Sequence, residues 1–267
     1  MLCKALIPTS RLMALIVVGV AAGCASGPSS LATATAAPAA ATPVATEPSA
    51  ALFYPWQFEE ESFDPAKERC GDTTVSDAMQ TLATSSDDRQ RRSAAYRLGE
   101  CCFGSSFMLM RWSCPTREDR QAMIAAVRQG RVGTKAQVLV PVLIKALDDP
   151  SRDVRKAIAY SFVYIGPIAA AAAPRLRVAL SDPDVTVRLW AARALHGITL
   201  ESAPSLDTSL AALDDADPGV RSMAVYNLEL MGRDAHVALA RLRLLADSDL
   251  DEGVRGQAQQ AISSLSQ

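Results

Sequence analysis

The sequence predicts an all-α protein, a right-handed α-solenoid of stacked helical hairpins with about five repeats plus one degenerate unit. Three observations predict it. The pair Val-Arg returns at Val154-Arg155, Val187-Arg188, Val220-Arg221 and Val254-Arg255, at steps of 33, 33 and 34 residues. A fixed period of this length marks a repeat architecture. Ahead of these pairs, apolar-periodic stretches close on Leu147, Leu180 and Leu213, with Asp-Pro following at 149/150, 182/183 and 217/218. After each pair, apolar residues fall three, four and seven positions on, as in Arg188, Ala191, Ala192, Leu195 and Arg221, Ala224, Val225, Leu228. Those spacings line one helix face.

Each unit therefore reads helix, turn, helix. Asp just before Pro suits a helix entry, because the carboxylate accepts from free backbone N–H groups and proline costs nothing at the first helical position. Small alanines on the inner face let neighbouring helices approach closely. An Asp also stands six residues before each arginine, giving Asp149/Arg155, Asp182/Arg188, Asp215/Arg221 and Asp249/Arg255. With these pairs the unit resembles a HEAT repeat, in the shorter form shared with phycobilisome-lyase-type proteins. The resemblance implies that the Asp and Arg residues form a structural ladder between the turns of adjacent repeats. It also implies that the second helices line a concave face.

In chain order, residues 1–23 resemble a bacterial lipoprotein signal peptide. Lys4 and Arg11 make a positive start, Leu12 to Val20 an apolar core, and Val20-Ala21-Ala22-Gly23-Cys24 a lipobox in which Cys24 is acylated. The apolar core is shorter than the ~20 residues a membrane-spanning helix needs. Cleavage to a soluble exported protein and retention as an uncleaved anchor are the competing readings. Residues 24–51 hold the lipidated Cys and a tether of Ala, Thr, Ser and Pro with one charge, Glu47. This composition buries no core, and as a flexible coil it reaches on the order of 30 Å. With Ala25 after the Cys, the resemblance implies an outer-membrane address facing the periplasm in a Gram-negative cell.

Residues 52–134 are expected to form an N-terminal cap and irregular, cysteine-bearing repeats. Phe53, Tyr54, Trp56, Phe58 and Phe63 supply apolar cover for the first unit, which a solenoid end requires. Arg91, Ala94, Ala95 and Leu98 fit the second-helix spacing, with a first helix over 73–84, and Thr116 to about Gln129 reads as a further helix. Cys70, Cys101, Cys102 and Cys114 cluster here, and an even set in an oxidising compartment predicts two disulfides with three possible connectivities. A bridge between adjacent Cys101 and Cys102 would be strained, which favours Cys70 and Cys114 each bridging to one of them. A metal site is the alternative, without Cys-x-x-Cys spacing or a nearby His to support it. Residues 52–88 carry nine acidic and two basic side chains, and 89–135 ten basic and three acidic. The two segments neutralise each other, or Arg111, Arg117, Arg120, Arg128 and Arg131 form a patch for an anionic partner. Residues 135–267 hold the four regular repeats.

Five residues after each repeat arginine come Tyr96, Tyr160, Arg193, Tyr226 and Gln260, with Trp190 and Met223 flanking them. This position points away from the core, and Tyr, Trp, Met and Arg are enriched where proteins bind proteins. The stripe is thus a candidate partner-binding ridge, or an aromatic seam packed between neighbouring helices. Changing Tyr160 and Tyr226 to Ala is expected to weaken partner capture while leaving the fold intact. The histidines, His196 and His236, precede Gly197 and Val237, so the His-Glu pairs of HEAT-like hydroxylases are missing. No nucleophile, metal or phosphate-loop motif is present. The expectation is a lipid-anchored scaffold or assembly factor of the cell envelope that binds a protein partner, with no cofactor, no metal, no nucleic acid and no catalysis. The alternative is a lyase-like, chromophore-handling enzyme. If Cys24 carries the anchor, Cys24→Ser is expected to move the protein from the membrane to the soluble fraction in detergent partitioning, and continued membrane association would count against lipidation.

Overall fold

The computed structural model describes residues 63–99, Gln121, Ala125 and residues 134–266. The signal, Cys24 and tether, the aromatic residues from Phe53 to Phe58, Cys101, Cys102, Cys114 and the five arginines from Arg111 to Arg131 lie outside the described residues. Gln121 and Ala125 are helical, inside the helix expected from Thr116.

A short antiparallel hairpin, β1 (Arg69–Cys70) with β2 (Thr73–Thr74), turns at Gly71, whose φ is +66°. It delivers the chain into α1 (Val75–Thr84), where Thr74 and Asp77 complete a capping box. That reciprocal bond satisfies two backbone donors at once, so the helix begins two residues later than the pattern predicts. α2 spans 88–99 and completes the first layer. The second layer is α3 (Thr134–Ala146) and α4 (Arg152–Ile165). The third enters through a 3₁₀ turn, Gly166–Ala172, into α5 (Ala173–Ala179) and returns as α6 (Val185–Thr199). The fourth is α7 (Ala203–Ala212) and α8 (Pro218–Met231). The fifth repeats the 3₁₀ entry at Gly232–Ala238, then α9 (Leu239–Ser248) and α10 (Glu252–Leu265).

The second helices form the spine, α6 packing on α4 and α10 on α8. Ala157, Ala191, Ala192, Ala224, Ala258 and Ala261 are fully buried on them, so the absence of bulky side chains sets the spacing. The closest approach is at Gly99, where an added Cβ would lie 2.3 Å from Ser161 Oγ and 2.9 Å from its Cα. Phe162, Leu98, Leu139, Leu143, Leu195 and Leu228 fill the space between layers. Phe63 packs against this core with Lys135 Nζ 5.5 Å from its ring centre, as a residue covering the first layer should. Cys70 is buried, its Sγ 3.7 Å from the Arg97 carbonyl oxygen.

The Asp/Arg ladder is present and directional, with Arg91, Arg155 and Arg221 each gripping the aspartate of the next layer. Arg91 Nε and Nη2 donate to Asp149 at 2.7 and 2.9 Å, Arg155 to Asp182 at 2.7 and 3.0 Å, and Arg221 to Asp249 at 2.8 and 2.6 Å. The third nitrogen, Nη1, bonds backward to its own turn, as from Arg155 and Arg221 to the carbonyls of Asp149 and Asp215. The aspartates in turn accept the backbone N–H two residues on, at Ser151, Asp184, Asp217 and Asp251. This use explains a departure from expectation. Asp-Pro opens a second helix only at 217/218; elsewhere Asp149 and Asp182 shape the turn, and Ser151, Asp184 and Asp251 occupy the cap positions.

Two further departures follow from the ladder. The rung from Arg91 to Asp149 spans 58 residues where the others span 27 or 28. Ser161 Oγ also meets the Ala95 carbonyl at 3.0 Å, and the Tyr96 and Tyr160 rings touch. The first layer therefore stacks directly on the second, with no unit between them. At the third-to-fourth seam, Arg188 reaches only the Asp182 and Pro183 carbonyls, and Asp215 has no ion pair among the described residues. There the Asn227 side chain donates to Leu189 O at 3.0 Å and Ser205 Oγ to Ala192 O at 2.7 Å. The buried core divides into two clusters that meet on α6. At this seam Leu200 ends α6 with φ +60°, whereas Gly166 and Gly232 end α4 and α8.

Burial opposes ionisation of Asp149, but hydrogen bonds from the Arg91 guanidinium and the Ser151 amide outweigh it and hold the carboxyl below its ordinary value. The Arg221 guanidinium does the same to Asp249. A depressed carboxylate contributes stability that is present above its unfolded pKa and is lost as pH falls through the folded one. Stability is thus expected to be level above about pH 5 and to fall below about pH 4. Asp149→Asn is expected to cost about 1–3 kcal/mol at neutral pH and to flatten that acid limb, measured by urea denaturation; an unchanged limb would remove the rung as its source.

Candidate functional site

The register that builds the ladder also aims the stripe. A side chain five residues beyond the ladder arginine lies on the helix face opposite the buried alanines. The structure places Tyr96 on α2, Tyr160 on α4, Trp190 and Arg193 on α6, and Met223 and Tyr226 on α8, all half-buried, with Gln260 exposed on α10. Tyr160 is the centre of the aromatic group. Its ring meets Tyr96 edge-on at 5.4 Å between centroids, Trp190 edge-on at 4.9 Å and Tyr164 at 4.7 Å, and its hydroxyl bonds that of Tyr164. Beyond Trp190 the chain of contacts continues through a cation. The Arg193 guanidinium carbon lies 5.4 Å from the Trp190 ring centre and 4.7 Å from that of Tyr226.

The six residues from Tyr96 to Tyr226 thus form one continuous ridge crossing four layers. Its members pack on one another and on the core, Tyr96 and Trp190 against the first cluster and Met223 against the second, yet each keeps part of its surface in solvent. Ring pairs of this kind contribute about 0.5–1.5 kcal/mol each and cation–ring contacts about 0.5–1 kcal/mol. These contacts restrict the ridge side chains within the folded stack, so their ordering entropy is lost on folding.

The spacing argument missed Tyr164, although its place four residues after Tyr160 puts it on the same face. It also missed an outer ladder, in which Arg175 bonds Asp148 and Arg241 bonds Asp214. The signal was the doubled aspartate at 148/149 and 214/215 with an arginine 27 residues after each first member. Ser181 and Thr208 stand at the matching positions of the third and fourth layers, so both ladders lack a charged rung at the same seam. The outer pairs are solvent-exposed and contribute little to stability.

Among the described residues no three His, Cys, Asp or Glu side chains come together to hold a metal ion. An open depression of about 240 Å³ lies at the first layer, lined by Thr73, Thr81, Gln90, Ser93 and Arg97, with Arg97 donating to Thr73. Ala78 and Ala94 complete its mixed lining, and no ridge residue takes part in it.

The model of the HEAT repeats family matches residues 108–195 and 173–263. No curated protein matches the chain. Among solved structures, a designed armadillo repeat protein in complex with the peptide (KR)4 is 21% identical over 71% of this chain and 98% of its own, with a TM-score of 0.40. The complex of CpcE and CpcF of phycocyanin lyase from Nostoc sp. PCC7120 is 20% identical over 77% of this chain and 98% of that one, with a TM-score of 0.27.

Tyr160 touches three rings and Tyr226 one guanidinium, so the two tyrosines are not equivalent. The two changes are therefore not neutral to the fold as the spacing alone suggested: Tyr160→Ala is expected to destabilise the stack by about 1.5–4.5 kcal/mol from three ring pairs and Tyr226→Ala by about 0.5–1 kcal/mol, read from urea midpoints. Equal losses would show that the ridge contacts do not set the order.

Proposed function

This chain belongs to the HEAT-repeat family, and we propose from that premise that it is a lipid-anchored protein-binding scaffold or assembly factor of the bacterial cell envelope. The observation that carries the reading is the ridge. A preformed run of half-exposed Tyr, Trp and Arg side chains across consecutive second helices supplies the residue types that dominate binding energy at protein interfaces. The stack presents it as an extended face, which suits a partner segment laid along the repeats rather than a small molecule held in a cavity.

The lipid anchor rests on the lipobox, and the tether on the composition of residues 24–51. Acylation at Cys24 would hold the scaffold at the membrane, and a coil reaching on the order of 30 Å would let the ridge search the adjacent space. On this reading no residue of the ridge is catalytic. Its work is to hold a partner in place.

A photo-cross-linking amino acid introduced at Leu230, exposed on α8 at the register of Tyr164, or at Leu244, exposed on α9 among the first helices, separates the two sides of the stack. In intact cells, cross-links to an envelope protein are expected from position 230 and not from 244, and Tyr226→Ala is expected to weaken them. Equal cross-linking from both positions, or none from 230, would overturn the assignment of the binding face.

A further inference from the structure

Arg193 departs from every comparable residue in the stack. It occupies the register where three other layers place tyrosine, and it is half-buried. Among the described residues, every other half-buried arginine is hydrogen-bonded to an oxygen or, in Arg92, ion-paired with one, Asp153. Arg91, Arg155 and Arg221 reach carboxylates, while Arg188 and Arg255 reach turn carbonyls. Arg193 has no hydrogen bond or ion pair to a described residue; its guanidinium lies over the rings of Trp190 and Tyr226. Glu229, three residues after Tyr226 on α8, is engaged with α10, its Oε1 accepting from Gln260 at 3.2 Å and Ser264 at 2.9 Å.

Contact with two rings restricts the Arg193 guanidinium without using any of its N–H donors. Five N–H groups in a rigid fork match a carboxylate bidentately, and the flanking rings displace water and lower the local dielectric, which strengthens the pair. Cation–ring contacts satisfy the charge electrostatically but leave those donors unused. The rings beside the fork add apolar surface for a neighbouring side chain. Resting on the protein-binding reading above, we infer that Arg193 is a carboxylate-reading subsite: the partner is an extended protein segment that presents an Asp or Glu side chain to the Arg193 fork, with an adjacent aromatic or apolar side chain against Trp190 or Tyr226.

The test uses the full chain and two labelled ten-residue peptides, one alternating Glu and Tyr, the other alternating Gln and Tyr, followed by fluorescence anisotropy. The acidic peptide is expected to bind about tenfold more tightly, and Arg193→Gln is expected to abolish that preference while Arg193→Lys restores only part of it. Because a substitution can disturb the ring stack, the Nε–Hε resonance of Arg193 in the unaltered protein gives an independent measure, and it is expected to shift downfield with the Glu peptide and not with the Gln peptide. Equal binding of both peptides, an unmoved resonance, or stronger capture of anionic phospholipid vesicles than of the Glu peptide through Arg193 would overturn the inference. Cross-linking from Leu230 that persists in Arg193→Gln would remove the carboxylate subsite and leave the scaffold reading standing.

Discussion

The stack depends on one three-way contact: an arginine that binds its own turn with one nitrogen and the aspartate of the next layer with two others. Asp249 retains 3% of its side-chain exposure and Arg221 13%, so water offers these groups little compensation if the bond is lost. A buried carboxylate left without its guanidinium costs several kcal/mol, which makes the pair a strong determinant of how one layer sits on another. Packing alone would not do this. The inner faces are lined with alanine, and smooth alanine surfaces slide and rotate at small cost, whereas a bidentate fork fixes distance and angle together.

That contact is why so much of the fold was legible in one sequence. Its two partners are charged residues at a constant offset, and the period they define carries the helix pattern with it. The ridge was legible for the same reason, since position five is opposite the core whatever residue fills it. What escaped was the placement of layers relative to one another. Arg188 and Asp215 have the right identities and the right spacing, yet no ion pair forms between them, and nothing local to either residue foretells that. The direct stacking of α2 on α4 was equally hidden. A separation of 64 residues between Arg91 and Arg155 looks like two periods whether or not a layer stands between them. The cap positions were misjudged because Asp149 and Asp182 were assigned to one helix end, when their oxygens serve the turn and the neighbouring layer.

The seam between the third and fourth layers exchanges one kind of cohesion for another. Both charged ladders are interrupted there, and the core divides, yet the ridge is continuous across it through Trp190, Arg193 and Tyr226. Elsewhere arginine holds layers together by gripping carboxylates; here it does so by lying between rings. The exchange leaves a guanidinium with hydrogen-bonding capacity on the face where a partner would meet it. The proposed recognition role falls on a residue with a structural one, because the ring contacts that join the layers through Arg193 leave its N–H donors unused.

The direction of the ladder has a consequence for self-association. Every arginine looks for its aspartate in the layer that follows, and Arg255 in the fifth layer has only the carbonyls of Asp249 and Leu250. An end-to-end copy could supply the missing carboxylate and propagate into a fibre, the hazard of any heterologous contact that does not close. The layer that Arg255 would meet is the first, and at the ladder position, six residues before Arg91, it carries Ser85, whose carbonyl already accepts from Arg91. Ser85 brings no carboxylate to that position, so the rung that joins neighbouring layers elsewhere is not repeated there.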